Sequence, residues 1–404
     1  MRPLQRVFFV ASSLLLLSGF KEAPKSSDSI STAHIPPALS DKLHFGRYWP
    51  IIRPYFLDET LQGEIADRIE EIEARKNLFQ AFIAAERKGP YKELYQRFSR
   101  ILAEGTIERL TLGGGGVYLL RDRHNTPQFI IKPEDEAILC LHNPKQRGSP
   151  FNDASHRLRE NIPLYQSASI EAAVYAMAKS LGIENIVTAT CIEIVSSSMF
   201  YDLSQIKAPR EKLCSIQAFL PDSIDLYGAI HEWSEAHLDI ESLVIDPCDF
   251  EYVNLLLWII YDADGHSGNF RLFFKECGET GSAHYGIVKI DHALSLPEKN
   301  SHFVNYLTYL PGAKNPLSAH LKQTIAEIDI FALSSMLQHY GLSYAVPALE
   351  KRILLLKKIA LRPNISIEEV SRRLDLLGVP NGENIALSDI SLDELINGDF
   401  LIMH

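Results

Sequence analysis

The chain has 404 residues, 46% of them hydrophobic and 23% charged, proportions that fit a folded globular protein and exclude a disordered, fibrous or multi-span membrane chain. Its 40 Lys and Arg stand against 51 Asp and Glu, and the net charge of −11 argues against broad binding to phosphate backbones, so no nucleic-acid partner is expected. Five cysteines, Cys140, Cys191, Cys214, Cys248 and Cys277, are odd in number and form no C-x-x-C pair. That spacing reads as reduced thiols, not as a zinc site or a disulfide framework.

In chain order, Arg2 and Arg6 precede an apolar run from Val7 to Phe20 that closes at Lys21. Residues 1–24 therefore read as an export signal, an uncleaved interfacial anchor or a secretion leader, the run being too short to span a bilayer comfortably. Residues 25–57 begin Ser- and Pro-rich and read as a linker. Over 58–105, Leu61, Ile65, Ile69 and Ile72 recur at helical spacing. Lys88-Gly89-Pro90 divides this stretch into two helical segments.

The pattern changes at Gly105. Ile107 to Leu112, Val117 to Leu120 and Phe129 to Lys132 read as short strands, followed by a helix over Ser169 to Leu181 and strands near Thr188 to Val195 and Lys212 to Phe219. Beyond Pro221 the chain is mostly helical. A strand-rich part over 106–222 followed by a helical part over 223–380 predicts an α+β, two-lobed fold with a helical extension in front and a tail over 381–404, which reads as a short docking helix.

Two constellations carry chemistry. Gly113-Gly114-Gly115-Gly116 lies between two strands, and the next strand ends in Lys132. Backbone without Cβ atoms can approach a ligand closely, successive N–H groups can cradle phosphate oxygens, and a lysine adds a point charge. A glycine-rich hairpin beside a lysine is ordinary by itself, and the P-loop string is absent.

The second constellation follows the apolar run Asp249 to Ile260: Tyr261-Asp262-Ala263-Asp264-Gly265-His266-Ser267-Gly268-Asn269. An Asx-rich helix cap is the simplest account of such a loop. The strands Phe270 to Phe274 and Gly286 to Ile290 then place Asn269 before one strand and Asp291 after the other. Antiparallel pairing brings these two oxygen donors together, as an open Mg²⁺ site shared with phosphates requires. Asp264 is left to orient a hydroxyl. A glycine loop, a lysine, an Asn and Asp for metal and an Asp for the acceptor are the parts of phosphoryl transfer, in kinase order. The strings H-R-D-x-x-x-x-N and D-F-G are both missing.

From about Gly113 to Leu361 the sequence resembles the phosphatidylinositol 3-/4-kinase superfamily, and most of all type II phosphatidylinositol 4-kinases. Gly113 to Tyr118 sits where that family has a G-x-x-G-[ST]-Y loop. Phe129 to Glu136 resembles F-K-P-x-x-E-E, Asn143-Pro144-Lys145 matches N-P-K, and Ser169 to Ala173 resembles S-E-A-x-A. Ser215 to Leu220 is similar to S-F-Q-L-F-V, Ile290 to Pro297 to I-D-N-G-L-A-F-P, and Leu310 to Lys314 to L-P-x-A-K.

The resemblance implies a kinase-like fold that uses ATP and Mg²⁺. It implies a nucleotide loop at Gly114, Gly115, Gly116 and Val117, with Lys132 on the phosphates. Glu171 is then the carboxylate that orients Lys132, with Glu136 second. Backbone groups of Gln217, Ala218, Phe219 and Leu220 read adenine, Asp264 is catalytic, and Asn269 and Asp291 hold Mg²⁺. His266 completes D-x-H-x-x-N and stabilises or shuttles charge at the transferring phosphate.

There are departures. Gly265 replaces an Arg, His292 replaces the Asn after the metal Asp, and the glycine loop lacks its Ser. The palmitoylated cysteine cluster of the eukaryotic enzymes has no counterpart over Gln146 to Ala168. Phe303, Tyr306 and Tyr309 stand where the family has membrane-facing aromatics, and aromatics at such spacing also serve as core. The expected acceptor is an inositol hydroxyl of phosphatidylinositol, the 4-position favoured; a protein Ser or Thr, or nucleotide binding without turnover, are the alternatives. An ATP-using enzyme with a leader and free thiols is expected to work in another cell's cytosol, as a secreted bacterial protein delivered to a host, or in its own cytoplasm if the leader is not an export signal.

Overall fold

The computed structural model describes residues 59–376 except 112, 146–156, 160, 202–208, 238–239, 241–242, 278–282 and 301–302. These residues belong to one unit that starts at Gly46. The leader, the linker and the tail from 381 lie outside the described residues.

The chain opens with helices α1 (Glu59–Glu86) and α2 (Lys92–Glu104), broken at Lys88-Gly89-Pro90 as the sequence predicts. Tyr95, Phe98 and Ile101 repeat at three-residue spacing in α2, so one stripe of that helix is buried. Phe98 meets Phe129 edge to face, and the Tyr95 hydroxyl donates to the Ile192 carbonyl at 2.8 Å. Helix α1 crosses both parts of the fold. Its Arg75 pairs with Glu134 at 2.7 Å and donates to Ser169 Oγ at 3.1 Å, while Phe82 packs on Tyr340 from the helical part.

Strands β1 (Thr106–Leu110), β2 (Val117–Arg121) and β3 (Pro127–Pro133) follow, then a small ribbon of β4 (Arg157–Arg159) and β5 (Ile162–Pro163). Helix α3 (Ser167–Ser180) is rich in Ala and almost wholly buried. Small side chains let it lie close against β6 (Thr190–Ser197) and β7 (Arg210–Ala218). The five-stranded sheet has the order β1-β2-β3-β7-β6 and is antiparallel throughout.

Past residue 222 come β8 (Ser223–Asp225), α4 (Leu226–Glu235), β9 (Val244–Ile245) and α5 (Pro247–Ile260). A hairpin of β10 (Phe270–Cys277) and β11 (Ala283–Lys289) leads to helices α6 (Ala319–Glu327), α7 (Ile330–His339), α8 (Val346–Ala360) and α9 (Ile367–Asp375). The fold is α+β, with a strand-rich N-terminal part, a mostly helical C-terminal part and the helical extension in front. The sequence reading foresaw the β10–β11 hairpin but not β8 and β9, which complete a four-stranded sheet in the order β8-β10-β11-β9. At three and two residues they are too short to show alternation.

Helix α5 is the axis of the helical part. Asp246 caps its first turn by accepting from the amides of Cys248 and Asp249, and Pro247 occupies the first position, where no N–H is needed. Leu255 to Ile260 are buried on every side, so the helix is fixed along its length. Its last turn is held from behind: Arg352 donates to the Ile259 carbonyl, and the Trp258 indole N–H donates to Ser371 Oγ at 2.9 Å. Tyr261 then turns the chain with φ of 52°, and the polar loop begins.

Candidate active site

The register of β3 with β7 pairs Lys132 with Ser215 and Ile130 with Gln217. Directly paired residues share a face, so Lys132, Ser215 and Gln217 project from the same side of the sheet. Helix α3 lies on that side. The Lys132 ammonium sits 2.7 Å from Glu171 Oε1 and 3.0 Å from Asp291 Oδ1. Glu171 is buried and its other oxygen accepts the backbone amide of His292 at 3.0 Å. One carboxylate thus aims the lysine and anchors the chain just past Asp291.

The hairpin closes the opposite wall. Phe270 pairs with Lys289, and the Ile290 amide donates to the Asn269 carbonyl at 2.9 Å, so Asn269 and Asp291 lie at the same end of β10 and β11. Asn269 turns both amide hydrogens to Asp264, one to the carbonyl at 2.8 Å and one to Oδ2 at 3.1 Å. That fixes the flip of the amide and leaves Asn269 Oδ1 as the atom that could serve a metal. Asp264, expected to orient a hydroxyl, has its own carboxylate oriented by Asn269. His266 Nδ1 accepts the Gly268 amide, so in the neutral ring Nε2 carries the proton and faces Asp264 Oδ2 at 3.8 Å.

Electrostatics supports this arrangement. Burial opposes the charge on Lys132, but Asp291 and Glu171 outweigh it and raise the lysine pKa above its ordinary value. Partial burial likewise opposes ionisation of Asp291, yet Lys132 and Lys289 hold its pKa down to about 2. His292 is driven the other way. Burial first, then Lys289, push its pKa down to about 3, so the imidazole beside Asp291 is neutral near pH 7. An ionised carboxylate, an amide oxygen and a lysine at one end of a hairpin suit Mg²⁺ and phosphate oxygens in an open, shared coordination sphere.

Several sequence expectations change here. Glu136, second choice as the partner of Lys132, instead pairs with Lys212 at 3.0 Å and accepts from the Tyr118 hydroxyl at 2.6 Å. The glycine run also has a structural cause. A Cβ on Gly116 would lie 2.0 Å from Glu136 Oε2, and the Gly116 amide donates to the Glu136 carbonyl, not toward a phosphate. Asn143 and Lys145 of the N-P-K segment donate to the carbonyls of Gly114 and Gly113, so that segment holds the loop. The expected cradle of Gly114, Gly115, Gly116 and Val117 is therefore pinned from outside, with Gly116 removed from the available donors. In the segment expected to read adenine, Gln217 lies within β7, and the Ala218 and Phe219 amides bind the carbonyls of Ala189 and Gln128. The Leu220 amide and the Ala218 carbonyl are the groups left for a base edge.

Of the three aromatics, Phe303 is core, Tyr306 is half-buried, and Tyr309 alone is exposed, at 81%. Cys140, Cys191 and Cys214 are buried thiols, and Cys248 is at the surface. Asp262 and Lys289 escaped the sequence reading. The signal was there: a lysine at the end of the apolar strand Ile287-Val288-Lys289-Ile290, and a second aspartate two residues before Asp264.

Gly265 has a geometric reason. A Cβ there would lie 2.1 Å from the Val304 carbonyl oxygen, and Tyr306 donates its amide to the Gly265 carbonyl at 2.9 Å. The chain after Asp291 therefore packs directly on the loop that carries Asp264, at the position where the resemblance implies an arginine. Restoring the cation by Gly265→Arg should lower activity and destabilise the fold by about 1–3 kcal/mol, the usual cost of overpacking. Thermal melts and turnover check this; a variant that is more active and equally stable contradicts the packing argument.

A second expectation concerns pH. Burial, and then Asp135, raise the Glu136 pKa to about 7 despite Lys212. The folded state then binds a proton that the unfolded state has lost, so this group's stabilisation is full below about 4.5 and declines as pH rises to about 7. His292 acts in the opposite sense, its depressed pKa adding stability as pH rises from about 3 to 6.5. Glu136→Gln should therefore make the slope of stability against pH more positive between pH 5 and 7. Denaturant melts across that range test the sign.

No protein-family model matches the chain. A curated relative, phosphatidylinositol 4-kinase gamma 4 of Oryza sativa subsp. japonica, is 24% identical over 244 residues, covering 57% of this chain and 38% of the relative. The chain thus spans less than half of that protein. Among solved structures, the Rio2 kinase of Chaetomium thermophilum in its ADP/Mg²⁺-phosphoaspartate complex is similar with a TM-score of 0.27 and 11% identity, over 74% of this chain and 68% of that one. A second structure of the same kinase gives a TM-score of 0.27 and 12% identity, over 75% and 74% of the two chains.

Proposed function

We propose that the protein is an ATP- and Mg²⁺-dependent phosphotransferase that phosphorylates an inositol hydroxyl of phosphatidylinositol, the 4-position favoured by resemblance. The observation that carries this reading is the meeting of Lys132, Glu171 and Asp291 with the Asp264–Asn269 pair at one end of the β10–β11 hairpin. The motifs in register from Gly113 onward and the similarity to a plant phosphatidylinositol 4-kinase support it.

In this reading Lys132, aimed by Glu171, binds the ATP phosphates, and Leu220 and Ala218 offer backbone groups to the base. Asp291 and Asn269 Oδ1 would hold Mg²⁺, which supplies charge neutralisation for the transferring phosphoryl group. Asp264, held by Asn269, accepts the proton of the attacking hydroxyl. His266 Nε2–H lies on the exposed side of Asp264, placed to donate to a phosphoryl oxygen. A loose, largely dissociative transition state asks chiefly for such positioning and charge stabilisation.

A protein Ser or Thr acceptor is the second reading, favoured by the net charge of −11, which opposes approach to anionic lipid. No described helix is long and apolar enough to cross a membrane. On the lipid reading, exposed Tyr309, on the segment after Asp291, is the aromatic offered to a bilayer surface. Radiolabelled ATP offered with phosphatidylinositol vesicles, with a protein extract, or alone decides the acceptor. Label in the lipid is the expected result; label in protein selects the second reading, and nucleotide binding without turnover overturns both. The leader-like N-terminus and the free thiols support action in a host cytosol, and a tagged chain found only inside the producing cell would count against that.

A further inference from the structure

Lys289 ends β11 and is completely buried. Its ammonium lies 2.8 Å from Asp262 Oδ2, also completely buried, and donates to the carbonyls of Ile290 at 2.7 Å and Asp291 at 2.9 Å. Two backbone carbonyls accept hydrogen bonds from the ammonium, and Asp262 Oδ2, which has no hydrogen-bond donor of its own among the described residues, faces it as the opposite charge of a buried ion pair. Asp262 in turn accepts the Asp264 amide on Oδ1 at 2.8 Å, and its carbonyl accepts the Val304 amide at 2.9 Å. A single buried pair thus grips the loop that carries Asp264 and the loop that carries Asp291.

Asp291 has φ of 58°, a left-handed conformation that a non-glycine residue adopts at some cost in energy. Three contacts hold it there. Lys289 binds its carbonyl, Lys132 its carboxylate, and Glu171 the amide that follows. Burying two charges is expensive, and apolar replacements of such pairs are often as stable or more so, so overall stability is a weak account of Lys289 and Asp262. Fixing the distance between two functional loops is a better one.

Resting on the phosphotransferase reading above, we propose that Lys289 and Asp262 are positioning residues that set the separation of the acceptor-orienting aspartate, Asp264, from the metal-binding aspartate, Asp291. Neither residue touches substrate. They act through the backbone amide of Asp264 and the backbone carbonyls of Ile290 and Asp291, and without them Asp291 relaxes out of its left-handed turn.

The test uses the full chain and the double variant Lys289→Met with Asp262→Asn, which removes both buried charges and keeps an acceptor for the Asp264 amide. ADP affinity is measured by calorimetry with and without Mg²⁺, and turnover is measured at saturating ATP. In the wild type, Mg²⁺ tightens ADP binding; in the double variant metal-free ADP affinity stays within about twofold, the Mg²⁺-dependent gain is lost, and turnover falls about 10²-fold, the size of effect a 1 Å misplacement produces. Asp262→Asn alone carries the same readout in the same direction should the double variant not fold. A lowered Tm with the Mg²⁺-dependent gain intact means a purely structural pair and overturns the inference alone. Absence of that gain in the wild type overturns the phosphotransferase reading, and this inference with it.

Discussion

Asp291→Ala should abolish phosphoryl transfer while leaving the fold in place, with a loss of at least about 10³-fold in turnover, at the upper end for a single electrostatic contact in a preorganised site. The side chain is 47% exposed toward the cleft, so its removal opens no cavity in the core. The backbone anchors to Lys289 and Glu171 remain. What disappears is a carboxylate at the hairpin end whose pKa is held at about 2, and with it, on the proposed reading, a ligand for Mg²⁺. The measurement is turnover alongside circular dichroism and a thermal melt. Undiminished turnover sinks the assignment of Asp291, and loss of fold would show that the residue is structural.

Lys132→Met should lower turnover by about 10²–10³-fold, as for removal of one preorganised donor to developing charge. The methionine keeps the length of the stem but leaves Glu171 and Asp291 without the ammonium that bridges them at 2.7 and 3.0 Å. Two carboxylates then face one another with Lys289 as the remaining nearby cation, so the Asp291 pKa should rise. The predicted signature is a joint change: weaker nucleotide binding and a pH–activity profile whose acid limb moves to higher pH. Glu171→Gln keeps the hydrogen bond to the His292 amide and weakens only the pull on Lys132, so it should fall between the wild type and Lys132→Met. If Glu171→Gln matches the wild type in KM for ATP, orientation of Lys132 by that carboxylate is not needed.

The parts of the site that could be read from sequence are those set by local geometry. Asn269 and Asp291 flank two strands that follow one another in the chain, and antiparallel pairing of such neighbours leaves little choice about where their ends meet. Helix α1 and the break after it follow from apolar spacing and from Gly89-Pro90 in the same way. Lys132 and Glu171 were matched through the resemblance, since nothing local tells a lysine on β3 which of the nearby glutamates it will find. Glu136 is nearer in sequence, but the 3₁₀ turn Glu134–Glu136 carries it to the other side of β3, where Lys212 of β7 is waiting.

The unread features share a cause. The clamp of Arg75 on Glu134 and Ser169 joins residues far apart in the chain, as do the pair Lys289–Asp262 and the approach of Val304 to Gly265. Each is set by tertiary packing, which periodicity does not report. Gly265 is the instructive case. From sequence it stands only as a departure from the resemblance; in the fold it is the point at which the Val304 carbonyl lies against the loop that carries Asp264.

Single-turnover transfer is the decisive measurement of whether this cleft moves the γ-phosphoryl group of ATP to a hydroxyl. Full-length protein in excess over γ-labelled ATP, with Mg²⁺ and phosphatidylinositol vesicles, should move label into the lipid; chelation of Mg²⁺ or the change Asp291→Ala should stop it. Label that remains in ATP with lipid and protein acceptors alike, while the same preparation binds Mg²⁺ and ADP, would contradict the account and leave a nucleotide-binding protein without transferase chemistry.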